Sequence, residues 1–85
     1  MPAAHEFTDH ARLVMAEREI DTAWVARVMA APERRERDRT DPALMHAMAP
    51  IAERDNRVLR VVYNALVDPP RIVTCYFDRR QRGKS

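Results

Sequence analysis

Glycine is almost missing from this chain: of 85 residues only Gly83 is one. No Gly-rich phosphate loop, dinucleotide-binding fingerprint or nucleophile elbow can be written without it, which excludes the common nucleotide-cofactor enzymes. Cysteine is equally scarce. A lone Cys75 can form no internal disulfide and supplies no Cys pair for structural zinc, so a reducing cytoplasm is the expected location. Met1 to Phe7 lacks the charged start and apolar core of a signal peptide, and no apolar run approaches the length of a membrane span. The three histidines, His5, His10 and His46, fall in no H-E-x-x-H spacing, so neither a metal nor another cofactor is expected. Lysine is the last near-absence: fourteen of the fifteen basic residues are arginine and only Lys84 is lysine.

What is present describes one small domain. Hydrophobic residues make up 46% and charged residues 33%, and a chain of this length buries roughly 60 to 65% of its unfolded surface, enough for one layer of helix on one layer of sheet. Any site is then a shallow groove. Arginine's planar fork suits phosphate and carboxylate, so the arginine bias points to RNA or an acidic partner; GC-rich codon usage produces the same bias with no ligand. The formal net charge is +2, but residues 1–31 sum to −2 and residues 57–85 to +5. Basic potential therefore gathers in the C-terminal half, as a polyanion-facing surface or as a solubilising end.

The pattern predicts two helices and then strands. Thr8 and Asp9 open a helix over about 8–19, with Ala11, Val14 and Met15 at helical spacing. Asp21 caps a second helix over about 21–31, with Ile20 and Val25 placed as a hydrophobic staple and Pro32 ending it. Residues 34–39 alternate charge without an apolar face, as an exposed loop or a charged edge strand. Residues 44–51 follow Asp41-Pro42 and are rich in Ala and Met, which spells helix locally; the strong strand at 57–64 needs a partner, so strand is expected instead. Asp55-Asn56 makes the turn between them, Asp68-Pro69-Pro70 the next, and Arg71 to Asp78 a further strand, with a basic tail over 79–85. The expected architecture is α+β, a two-helix hairpin on one face of a three- to four-stranded antiparallel sheet. Its core should include Trp24, Val28, Leu59, Val61, Val73 and Phe77, and alternation adds Cys75.

One residue breaks the apolar pattern. Leu59, Val61 and Tyr63 point to one face of their strand and Val58, Arg60, Val62 and Asn64 to the other, which puts a guanidinium in the middle of an apolar row. A lone charge there costs several kcal/mol, so Arg60 must meet solvent, an anionic ligand, or a carboxylate such as Glu53 or Asp78.

Several stretches together carry a family resemblance: Phe7-Thr8-Asp9-His10-Ala11, Met15-Ala16-Glu17-Arg18, the stop at Ala31-Pro32, Arg57 to Asn64, and Val73-Thr74-Cys75-Tyr76-Phe77-Asp78-Arg79-Arg80. Over most of its length the chain resembles the bacterial domain of unknown function 4258 family, which is similar to BrnT and more distantly to RelE-type toxins of toxin–antitoxin systems. The chain departs from the family pattern at Glu19, where members commonly carry glycine. RelE-like relatives cleave RNA without metal and ParE-like ones act on gyrase, so the shared fold alone assigns no reaction. The resemblance implies a metal-independent ribonuclease acting on mRNA, with an antitoxin protein as partner and a homodimer as an option; the rival reading is a non-catalytic module that binds protein or nucleic acid on the same basic face. It carries function most strongly onto His10, Arg18, Arg60, Asp78 and Arg79, and less strongly onto His46.

Such cleavage requires a base for the 2′-hydroxyl, cations for the phosphorane and an acid for the leaving 5′-oxygen. His10, His46 and Arg60 are the catalytic candidates, and Arg18, Tyr76, Arg79 and Arg80 the RNA-binding ones. Each has a plainer reading as well: His10 as part of a helix start, Arg18 in a surface ion pair, Tyr76 as a packed strand aromatic.

Overall fold

A computed structural model describes the backbone of residues 5–82 and the side chains as far as Arg79. Strand β1 (Glu6–Phe7) leads into helices α1 (Asp9–Glu17) and α2 (Thr22–Ala30), and then come β2 (Arg34–Arg37), β3 (Leu44–Ile51), a 3-10 turn (Ala52–Arg54), β4 (Arg57–Asn64) and β5 (Arg71–Arg82). One five-stranded sheet has the order β1-β5-β4-β3-β2. It is antiparallel except at one edge, where β1 runs parallel to β5 through Glu6↔Arg71 and Phe7↔Ile72. The fold is thus α+β with two helices, but the sheet is mixed and has five strands rather than three or four antiparallel ones. The extra strand escapes a sequence reading because two residues carry no period.

Side chains fix both helix starts. Thr8 Oγ1 accepts from the Ala11 amide at 3.0 Å and Asp21 Oδ1 from the Ala23 amide at 2.8 Å, each satisfying a donor the first turn leaves open. α1 ends in a Schellman pattern: the Ile20 amide donates to Met15 O at 2.9 Å and the Glu19 amide to Ala16 O at 3.3 Å. That closure needs a left-handed residue, and Glu19 takes it at φ 53°. Ile20 and Met15, the apolar pair of the motif, both lie in the core.

Pairing overrides local propensity at 44–51. All eight residues of β3 pair with β4, and four of them pair also with β2, so the ladder outweighs the helical preference of Ala and Met. Pro50 is tolerated because it lies beyond the end of β2. Met48 directs its carbonyl to that side, accepting from the Glu33 amide at 2.8 Å, so by alternation the missing N–H of Pro50 costs no ladder bond. Asp55 and Asn56, both left-handed at φ 55° and 59°, turn the chain into β4. β2 is short and charged, as suits an exposed edge.

Ala11, Met15 and Ile20 with Val25 and Val28 form the core with Ala47, Ile51, Leu59, Val61, Tyr63, Ile72 and Cys75 of the sheet. Trp24 and Phe77 pack against it partly buried. Val73 does not join it. The β4–β5 register slips between Val62↔Thr74 and Tyr63↔Ile72, leaving Val73 as the extra residue of a bulge and handing its core position to Ile72. A second irregularity, between Val58↔Asp78 and Arg57↔Arg82, lets β5 continue to Arg82. The expected tail therefore begins inside a strand.

Leu59 is fully buried, so Leu59→Ala should cost about 2 to 5 kcal/mol in denaturant unfolding, with Val73→Ala costing clearly less. Relief of the left-handed strain at Glu19, worth about 1 to 2 kcal/mol, exceeds the entropic cost of glycine. Glu19→Gly should therefore raise the melting temperature by a few degrees.

Candidate functional site

The face of the sheet turned away from the helices carries an unbroken line of polar side chains. Asp38 Oδ1 lies 2.7 Å from His46 Nε2, and His46 Nδ1 lies 2.8 Å from Arg60 Nη1. Arg60 then donates from Nε and Nη2 to Asp78 Oδ2, at 2.9 and 2.8 Å. Because a guanidinium only donates, His46 Nδ1 must be the acceptor and Nε2 carries the hydrogen given to Asp38. The side chains of Arg60 and Asp78 are only 12% and 11% exposed. They cross an apolar floor of Met48, Val58 and Val62, all buried.

Register explains how the four meet. Arg60 stands opposite Met48 on β3 and Tyr76 on β5, which leaves His46 and Asp78 as its diagonal neighbours on the two flanking strands. Asp38 comes from the turn after β2. Its Oδ2 accepts from the Thr40 amide, the Thr40 hydroxyl and the Asp41 amide at 3.0 to 3.2 Å. The Asp41 amide above all, then His46, holds this carboxyl well below the ordinary aspartate range. The line thus begins at a fixed anion and ends at another.

Of the expected site residues the sheet brings together His46, Arg60, Tyr76 and Asp78. It separates the rest from them. His10 is exposed on the first turn of α1, in the helix layer. Arg18, at the end of α1, donates from Nη1 to the Cys75 carbonyl at 2.8 Å, on the outer side of β5. Arg79 is exposed near the end of β5, and the Arg80 side chain lies outside the described residues. Arg60 meets Asp78 rather than Glu53, which forms a two-pronged bond with Arg27 at 2.9 and 3.0 Å. That bond brings the Glu53 carboxyl down to about 2. Cys75 is buried in the core, where desolvation pushes its thiol up to about 11, so it presents no thiolate for attack. Among the described residues no group of three or more His, Cys, Asp or Glu is placed to hold a metal ion.

Asp38 was not among the expected residues. Its signal was local: Asp-x-Thr-Asp is the pattern of a side chain bonded to amides two and three residues on. It stood in a run of alternating charges that reads as a solvated surface.

Arg60→Ala would withdraw two donors from a carboxylate that is 11% exposed and leave His46 Nδ1 without its partner. The loss should be about 3 kcal/mol in chemical denaturation. A double-mutant cycle with His46→Ala should return a coupling of roughly 0.5 to 3 kcal/mol, since the two side chains share a bond.

No helix among the described residues is long and apolar enough to cross a membrane. No curated protein and no solved structure matches the chain. The model of the family described as Domain of unknown function (DUF4258) matches residues 7–77, and the chain belongs to that family.

Proposed function

We propose that this chain is a RelE/BrnT-like toxin, a metal-independent ribonuclease acting on mRNA, and that its chemistry runs on the open sheet face. The observation that carries the reading is the orientation of His46. Asp38 holds its Nε2–H, so the lone pair of Nδ1 is aimed at the one guanidinium nitrogen of Arg60 that Asp78 does not hold. A carboxylate that fixes the tautomer and lets the opposite ring nitrogen take a proton is the arrangement a general base requires.

In this proposal a phosphodiester replaces His46 as the acceptor of Arg60 Nη1. The freed Nδ1 takes the proton of the 2′-hydroxyl, the 2′-oxygen bonds to phosphorus, and the bond to the 5′-oxygen breaks. The 5′-oxygen takes a proton from Tyr76, directly opposite Arg60, which regains one from solvent, or it takes the proton from water. Products are a 2′,3′-cyclic phosphate and a 5′-hydroxyl, and the proton on His46 returns to solvent. Arg60, fixed on Asp78 through Nε and Nη2, meets the charge that develops on the phosphorane. A protein antitoxin would neutralise the activity by covering this face.

One observation favours the rival reading of a non-catalytic binding module. Both ring nitrogens of His46 are already engaged and Arg60 is already neutralised, as in a polar staple that only braces the sheet. Incubating the purified chain with RNA in the presence of a chelator separates the two. The ribonuclease should yield cyclic-phosphate ends, spare RNA with 2′-O-methyl groups, and lose about 10²- to 10⁴-fold in rate on His46→Ala. Absence of chelator-resistant cleavage across the pH range would end the catalytic reading.

A further inference from the structure

A second cationic group lies on the other side of the sheet. Trp24, near the start of α2, and Phe77 of β5 meet edge to face, with ring centroids 6.3 Å apart. Two arginines converge on them. Arg54 Cζ is 5.3 Å from the Trp24 centroid and 5.5 Å from that of Phe77, and Arg57 Cζ is 5.1 Å from Phe77. Arg54 is anchored again where its Nη2 donates to Glu19 O at 2.9 Å. The tight left-handed pair Asp55-Asn56 separates the two arginines in the chain, which fixes one against the other.

No direct ion pair among the described residues neutralises these two cations. Among the described residues neither Arg54 nor Arg57 has a carboxylate within ion-pair distance, and Glu53, the nearest acid before them, is taken by Arg27. Two like charges sharing one ring repel, and the ring quadrupole compensates only about 0.5 to 2 kcal/mol for each. A guanidinium held by its face keeps its N–H edges for an anion. Arg57 spends none of its donors on another described residue. The cations also continue along one strand: Arg18 rests on the Cys75 carbonyl and Arg79, exposed, follows Phe77 by two residues. Neither of these has an ion-pair partner among the described residues. A row of this kind matches a chain of phosphates better than a single carboxylate.

We infer that Arg54 and Arg57, braced on Trp24 and Phe77, form a phosphate clamp for the backbone of a single-stranded polynucleotide. The clamp is separated from the His46–Arg60 line by the thickness of the sheet. It shares with the proposed ribonuclease reading only the nature of the strand, and does not depend on cleavage.

The test uses the full chain and a fluorescent single-stranded RNA carrying 2′-O-methyl groups throughout, which binds but cannot be cut by 2′-attack. Anisotropy titrations at about 50 and 200 mM salt report affinity and its salt slope. Arg54→Gln with Arg57→Gln should weaken binding roughly tenfold and lower the slope by about 1.4, the release expected for two contacts on a single strand. Arg57→Gln alone, at an exposed position held on the Phe77 ring, should give about half that slope change with a melting temperature lowered by no more than a few degrees. Arg71→Gln, the same charge loss on a residue 3.8 Å from Glu6 at the sheet's far end, should bind as the parent does. The clamp is overturned if the parent chain fails to bind at the lower salt, if Arg57→Gln keeps affinity and slope, or if polyglutamate displaces the RNA at equal charge, which would identify an acidic protein partner instead. Tight binding of the modified RNA alongside no cleavage of ordinary RNA would retire the nuclease and leave the clamp standing.

Discussion

A guanidinium in the middle of an apolar row cannot stay unpaired, and the open face of this sheet is organised around meeting that requirement. Arg60 lies among Met48, Val58 and Val62 with 12% of its side chain exposed, where an uncompensated charge would cost several kcal/mol. Asp78 supplies the countercharge from one flanking strand and His46 an acceptor from the other. His46 in turn needs a partner for Nε2, and Asp38 reaches back from the turn after β2 to provide it. One half-buried cation thereby ties together β3, β4, β5 and the turn at 38–41, and no buried side-chain nitrogen or oxygen among the described residues lacks a partner. Register follows from the same demand. A slip of one residue in β4 would send Arg60 into the helix-covered core and expose Leu59 or Val61.

The position of the sheet also decides how the arginines divide their work. Arg60 is on one side; Arg54, Arg57 and Arg18 are on the other, with Trp24 and Phe77. Chemistry that a sequence reading gathers into one basic groove is therefore two surfaces of opposite character. On the open face the one guanidinium of the polar line is fully compensated, with a carboxylate at each end of the line. The helix side has aromatic rings faced by arginines that no described acid neutralises. A cation compensated at close range suits positioning and proton transfer, while cations without a direct ion pair suit long-range attraction of a polyanion.

Much of this was legible in the residues. Caps at Thr8 and Asp21, the alternation that turns Leu59, Val61 and Tyr63 toward the helices, and the need of Arg60 for solvent, an anionic ligand or a carboxylate all follow from local rules; which of the three it meets does not. The strand at 44–51 was legible only from its neighbour's need, because its own composition favours helix. Three features were hidden. β1 is too short to show a period, the bulge at Val73 breaks the alternation that any strand reading assumes, and Asp38 is one acid in a charged run. Each depends on a contact between separate elements: Phe7 with Ile72, Tyr63 with Ile72, and His46 with Asp38. A reading that treats elements separately cannot reach such pairs, and it merged His10 and Arg18 with His46 for the same reason.

Strand β5 is where these consequences meet. Its alternation sends Tyr76 and Asp78 to the open face and Cys75 and Phe77 to the helix side, so four consecutive residues belong by turns to both surfaces. Val73 sets the phase of that alternation. Without the extra residue, Ile72 and Cys75 could not both lie in the core, because three residues of regular strand point them to opposite faces. The bulge allows Ile72 to stay next to Phe7 while Asp78 stays next to Arg60. Thr8 fastens the same place, donating from Oγ1 to the Val73 carbonyl at 3.3 Å while its own amide bonds Ile72 O at 3.0 Å. The cap of the first helix is thus also the brace of the bulge, and through the phase of β5 it governs which face each charged side chain of that strand can reach.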